Sequence, residues 1–334
     1  MSTWWIVTWC VALVAASGAA WPYQAFRRDQ RASRVALQGK SRVVQTRCGP
    51  IEYAEAGNGP ALLVVHGAGG GFDQGIAFAR NFAERGFRVI AVSRFGYLRT
   101  PMPADASVVA QADAHLALMD ALGITRAVLF GGSAGAPSAM QFALRHRDRC
   151  QALVLLVPMA YVPAMGGVQG PALSPTLEKL LMAIVSSDIV YWLATKLARG
   201  LVIKTALATP PDIVRSASLK EQTRVEGVLR GIQPISLRAA GILNDARISA
   251  SLTRYDLEKI GVPTLVLSVR DDLYGTFAGA QYTARHIPGA KFVGYDTGGH
   301  LWVGHHDDVI AEIAAFVRPP RPATRSHGQA VAPI

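Results

Sequence analysis

Cysteine is scarce in this 334-residue sequence: Cys10, Cys48 and Cys150 are three in all, an odd number that builds no disulfide framework. Charged residues make up only 17%, against 50% hydrophobic, which excludes wholesale disorder, a collagen-like repeat and a coiled coil. No Cys or His cluster has metal-ligand spacing, so no metal is expected. No G-x-G-x-x-G follows the first buried strand and G-K-[ST] is absent, so no nucleotide site and no cofactor is implied. The length fits one large α/β domain with additions.

The formal charge of +11 raises nucleic acid or an anionic membrane as a partner, and its distribution separates the two. Residues 1–50 hold seven basic side chains against Asp29 alone, and the tail from Arg318 holds three against none. The body, 51–317, keeps a net charge of only +2 and contains no basic run interleaved with aromatics, which argues against a nucleic-acid groove.

Met1 to Phe26 carries no charged side chain. About 20 such residues span a hydrocarbon core, and Trp4, Trp5 and Trp9 at one end with Trp21 and Tyr23 at the other fit the two interfaces. The sequence therefore predicts a transmembrane anchor over 1–26 and a basic linker over 27–40. Because basic residues resist translocation, the rest of the chain is placed on the cytoplasmic side of a lipid bilayer. Ser17-Gly18-Ala19-Ala20 keeps open a cleaved signal peptide and a secreted or periplasmic product.

Beyond the linker, short apolar runs alternate with amphipathic stretches. Strands are predicted at 41–47, 51–55, 61–65, 87–92, 127–130, 152–157, 263–269 and 291–295, with helices between them, among them Asp105 to Leu122. This rhythm predicts a doubly wound, mostly parallel sheet over 41–317. It breaks at about 158–255, where Pro- and Gly-punctuated helices form an insertion. Met182, Tyr191 and Trp192 there suit either a hydrophobic substrate pocket or the insertion's own core. Arg238, Asn244 and Asp245 fit a salt-bridged hinge at its return, or a polar contact with substrate. Residues 318–334 read as a disordered, basic, Pro-rich tail.

Gly131-Gly132-Ser133-Ala134-Gly135 sits between a predicted strand and a predicted helix. A sharp turn there needs small neighbours, lifts the Ser133 hydroxyl clear of the backbone and sets it at a helix N-terminus. A serine nucleophile requires a base. His300, in the loop after the last strand, fits better than His115 or His146 on helices, His305 or His306 beside the last helix, or His327 in the tail. Asp271 and Asp272 end another strand at the same sheet edge, where one can orient the base and the other cap a loop. His66-Gly67-Ala68-Gly69-Gly70-Gly71 can turn backbone amides toward the serine. Ala134 is the first expected oxyanion donor, with Ala68 or Gly69 as the second. His66 itself reads as a structural hydrogen-bonder.

Carried by HGAGGG, GGSAG, VRDD and GGH in this order, residues 41–317 resemble an α/β-hydrolase with a helical cap. The resemblance implies a Ser133-His300-Asp272 triad, since the second Asp of such a pair is the acid in that family. Ser93, Leu98 and Thr100 depart from the family's D-x-x-G-x-G-x-S loop. The implied activity is hydrolysis of an ester, or of an amide, lactone or C–C bond, in a small, hydrophobic acyl substrate. An acyltransferase and a non-catalytic receptor of the same fold are the alternatives.

Overall fold

The computed structural model describes residues 22–163 and 174–317. The predicted anchor therefore lies outside the described residues up to residue 21, as do the tail and ten residues of the insertion. Among the described residues no helix is long and apolar enough to cross a membrane.

Eight strands form one sheet in the order β1-β2-β4-β3-β5-β6-β7-β8. They are β1 (Arg42–Thr46), β2 (Gly49–Ala56), β3 (Ala61–Val65), β4 (Arg88–Val92), β5 (Ala127–Gly132), β6 (Cys150–Leu156), β7 (Thr264–Val269) and β8 (Lys291–Tyr295). The first two pair antiparallel, β2 runs antiparallel to β4, and all later neighbours are parallel. Strand β3 reads as an unbroken apolar run, and β5 and β7 are buried along nearly their whole length, because both faces are covered.

Alternate residues feed two cores. Leu63, Val65, Ile90 and Leu129 pack with α3 (Val108–Ala121), α4 (Ala136–Arg145) and α11 (Thr276–His286). Leu62, Val64, Val89 and Val128 pack with α2 (Phe72–Glu84) and α12 (His306–Phe316). The N-terminus of α3 is set by Ser107, whose side chain accepts from the Ala110 amide.

Between β6 and β7 the chain builds a cap from α5 (Pro175–Val185), α6 (Asp188–Leu197), α7 (Arg199–Ala206), α8 (Pro211–Ser216), α9 (Leu219–Gly231) and α10 (Ala239–Ala250). It has its own core, which includes Tyr191, Ile203, Val225 and Leu229 and reaches down to Leu301 and Val303. Tyr191 donates its hydroxyl to the Leu229 carbonyl at 3.1 Å, and Met182 is partly buried against the same cluster, so both contribute to the cap's own core.

The stretch expected to be a linker is instead ordered. Residues 22–37 form a helix, α1, which lies against the cap. Phe26 meets the Trp192 ring edge-on at 5.8 Å, and the Trp192 indole donates to Asp29 at 3.0 Å. Burial of Phe26 and Trp192 gains more from a fixed helix than a flexible linker could return, which is why the basic stretch orders. Trp192 thus packs against α1.

Candidate active site

Every predicted site residue lies at the carboxyl end of a strand. Ser133 follows β5 with φ 48°, a left-handed conformation that a serine adopts only under local constraint. The constraint is visible in its neighbours. A Cβ on Gly135 would stand 2.5 Å from the Val65 carbonyl oxygen, and one on Gly131 would stand 2.8 Å from Ala139 Cβ. Glycine is therefore required on both sides of the turn, and the turn holds Ser133 at the N-terminal end of α4.

Ser133 Oγ lies 2.9 Å from His300 Nε2, and His300 Nδ1 lies 2.8 Å from Asp272 Oδ2. The carboxylate can only accept, so Nδ1 carries the proton and Nε2 is left to accept from the serine. Asp272 is held in turn: Oδ1 accepts from the Tyr274 amide at 2.8 Å, and Oδ2 accepts from the Thr276 hydroxyl, itself 3.1 Å from Ser268 Oγ. Thr276 was not anticipated, although a threonine at the start of the helix four residues beyond the acid is a readable signal. Tyr274 packs its ring edge-on against His300 at 4.9 Å. Asp271 does not touch His300. It accepts from the Gly299 amide at 2.7 Å and the Gly298 amide at 3.3 Å, capping the histidine loop.

The cap connection after α7 closes over these loops. The Ala208 carbonyl accepts from the Leu273 amide at 3.0 Å and from the His300 amide at 3.3 Å. Gly299 comes so close to Thr209 that a Cβ would lie 2.6 Å from its methyl carbon.

The three expected oxyanion donors separate. Gly69 gives its amide to the Tyr97 hydroxyl at 3.4 Å. Ala134 lies in the single 3-10 turn Ser133–Gly135 that leads into α4, and Ala68 lies in the loop after β3. Ala68 adjoins Gly67, where a Cβ would lie 3.1 Å from Ser133 Cβ. Of the three, Gly69 is the one whose amide is already engaged by a side chain.

His66 is structural. Its Nδ1 donates to the Gly67 carbonyl at 2.7 Å while Nε2 accepts from the Arg94 amide at 3.0 Å. Burial, then the Arg94 guanidinium, hold its pKa well below the usual histidine range. His115, 3.1 Å from Ser138 Oγ, is likewise lowered from 6.5 to about 3, chiefly by burial. Both are neutral in the fold and would take a proton near pH 6.5 once unfolded. Stability is therefore complete above that pH and falls as the pH drops from about 6.5 toward 3, each histidine adding up to about 1.4 kcal/mol per pH unit. Melting temperatures at pH 7 and pH 5 should differ accordingly, and His115→Gln should flatten the slope. An unchanged slope would contradict the assignment.

Arg238, immediately before α10, and Asp245 within it tie the cap to two loops of the domain. Fully buried Arg238 donates to the Gly70 carbonyl and pairs with Asp73 at 2.8 Å. Asp245 takes both guanidinium nitrogens of Arg94 at 2.7 Å and the Tyr97 hydroxyl at 2.5 Å. Arg94 in turn donates to the His66 carbonyl at 2.9 Å. Asn244 donates to the Ala106 carbonyl at 3.0 Å. These residues anchor the cap to the domain, in line with the salt-bridged reading.

The loop that departs from the family pattern belongs to the same lattice. Ser93 bridges the Phe72 amide and Glu52, Thr100 accepts from the Glu52 amide, and Leu98 holds φ 53° with its amide on the Leu237 carbonyl. Asp245→Asn should cost about 3–5 kcal/mol, because Arg94 is left buried without its anion. A urea midpoint within error of the parent would refute this.

Residues 60–304 match the family profile described as alpha/beta hydrolase fold. The chain is 27% identical over 268 residues to the uncharacterized hydrolase YcgS of Bacillus subtilis, covering 77% of this chain and 90% of that protein. It is 35% identical over 113 residues to a 2-hydroxy-6-oxo-6-phenylhexa-2,4-dienoate hydrolase of Comamonas testosteroni, a match covering 32% of this chain and 40% of that enzyme. Among solved structures, an alpha/beta hydrolase fold protein from Nakamurella multipartita superposes with a TM-score of 0.64 at 29% identity, over 83% of this chain and 98% of the other.

Proposed function

We propose, from the premise that this chain belongs to the alpha/beta hydrolase family, that it is a serine hydrolase acting on an ester of a small, hydrophobic acyl group. The observation that carries this reading is the 2.9 Å approach of Ser133 Oγ to His300 Nε2 at a strained turn. In the proposed reaction Ser133 Oγ attacks the carbonyl carbon as its proton passes to His300 Nε2. The carbonyl oxygen becomes an oxyanion held by the Ala68 and Ala134 amides. The intermediate collapses, the carbon–oxygen bond to the alcohol breaks, and His300 returns the proton to the leaving alkoxide. Water then enters, gives its proton to His300 and attacks the acyl-enzyme. Collapse of the second intermediate frees the acid, and the proton goes back to Ser133. Asp272 keeps the ring oriented and stabilises the imidazolium throughout.

A fluorophosphonate probe should add one equivalent to Ser133, read by intact mass and peptide mapping. A chain that remains unlabelled under conditions where it is folded would sink the proposal. A second reading, cleavage of a C–C bond beside a ketone, is favoured by the similarity to the oxo-dienoate hydrolase. Loss of absorbance of a vinylogous 1,5-diketone together with inertness toward aryl esters would select it.

The sequence further supports a membrane anchor in the uncharged N-terminal segment followed by basic residues, with the domain on the cytoplasmic side. Because Phe26 belongs to the docked helix α1, the part of this segment available to lipid ends near residue 21.

A further inference from the structure

The cap presents an apolar stripe to solvent. Ile189, Leu193 and Leu197 recur every fourth position along α6, and Leu201 lies on α7 just past the break at Ala198; all four are exposed, Leu197 by 82% and Leu201 by 60%. Single exposed leucines are ordinary on a soluble protein, but leucines and isoleucines aligned over successive turns make a contact surface.

Its position in the fold says what it contacts. The neighbouring positions of α6 are taken up by α1: Asp188 pairs with Arg34 at 3.3 Å, and Trp192 and Lys196 meet Phe26 and Asp29. Arg34 thus lies at the start of α6 and Phe26 further along it, so the two helices run antiparallel. The described chain therefore begins beside the Leu197 end of the stripe, and the 21 uncharged residues that precede it are joined there. Exposed cations surround this end: Arg27 on α1 and Lys204 on α7, with Arg28 and Lys196 sharing the single carboxylate of Asp29 and Arg199 paired with Glu226. Leucines rimmed by Lys and Arg match the boundary between acyl chains and anionic headgroups.

We propose that the α6–α7 face of the cap rests on an anionic lipid bilayer, with Leu193, Leu197 and Leu201 at the acyl boundary and the surrounding cations on lipid phosphates. The contact is a property of the cap itself, separate from any insertion of the first 21 residues, and it does not depend on which bond the triad cleaves.

The test uses the full chain carrying Leu197→Cys, labelled with a polarity-sensitive fluorophore. Leu219→Cys serves as the control: Leu219 is 80% exposed on α9, whose next residue, Lys220, pairs with Asp307 of α12. The unsubstituted chain, labelled in parallel, accounts for the native cysteines. With vesicles of phosphatidylcholine and phosphatidylglycerol, the label at 197 should shift to the blue, be quenched by acyl-chain nitroxide lipids and escape aqueous iodide. The label at 219 should remain open to iodide. A vesicle-bound chain whose label at 197 is as open to iodide as that at 219 would overturn the proposal, as would a failure to bind vesicles. A blue shift that needs no lipid and grows with protein concentration would overturn it too, assigning the stripe to a second copy of the chain. Equal binding to pure phosphatidylcholine would overturn the role given to the cations.

Discussion

Ser133→Ala should lower kcat toward a short-chain aryl ester by about 10⁴- to 10⁶-fold while leaving KM within a few-fold. The substitution removes the attacking oxygen and nothing that orders the site. His300 keeps Asp272, Asp272 keeps Thr276 and the Tyr274 amide, and Gly131 and Gly135 still permit the turn. Alanine inherits the φ of 48°, so the backbone strain is the same in both proteins and the melting temperature should barely move. Stopped-flow or steady-state release of the aryl alcohol reads the loss. A variant within tenfold of the parent would remove Ser133 from the reaction, and with it the acyl-enzyme.

The second large effect separates two adjacent carboxylates. Asp272→Asn should reduce kcat by about 10⁴-fold, because the amide can donate to Nδ1 and so favour the tautomer whose Nε2 carries the proton and cannot accept from Ser133. Asp271→Asn should cost about tenfold or less, since it weakens only the acceptance of two loop amides and leaves the ring's partner in place. The order of the two losses, measured in parallel with the same ester, is decisive. If Asp271→Asn is the more damaging, the acid is misassigned.

The elements that place the triad were legible because each strand is an apolar run bounded by turn residues. Ala61–Val65 and Lys291–Tyr295 coincide with their expected limits, and both the Ser133 turn and the Asp271-Asp272 pair fall where strand periodicity ends. The helix Phe72–Glu84 was not identified individually, since Asp73 and Gln74 at its start leave little apolar signal there. Within the cap, the expected long helices divide at Ser186-Ser187 and Ala217-Ser218, where serines cap new starts at α6 and α9. The grip of the cap on the oxyanion loop was the least accessible feature. Arg238 and Asp245 are far in sequence from Gly70, Arg94 and Tyr97, and only the three-dimensional fold shows that the first reaches Gly70 and the second Arg94 and Tyr97. That the Gly69 amide meets the Tyr97 hydroxyl was closed to sequence for a similar reason. The role of residues 27–37 was misread because Arg-rich composition describes solvation of a helix's outer face and is silent about Phe26, Asp29 and Gln30 on its inner one.

The double acceptance at Ala208 has a thermodynamic consequence. One carbonyl holds the amides of Leu273 and His300, so any fluctuation that lifts this cap connection exposes both protons to solvent in a single opening event. The two amides should share one exchange free energy and one denaturant dependence in native-state hydrogen exchange, despite lying in separate loops. Cap and histidine loop then form a single cooperative unit, and catalytic competence is lost at the first subglobal opening, while the sheet beneath is still folded.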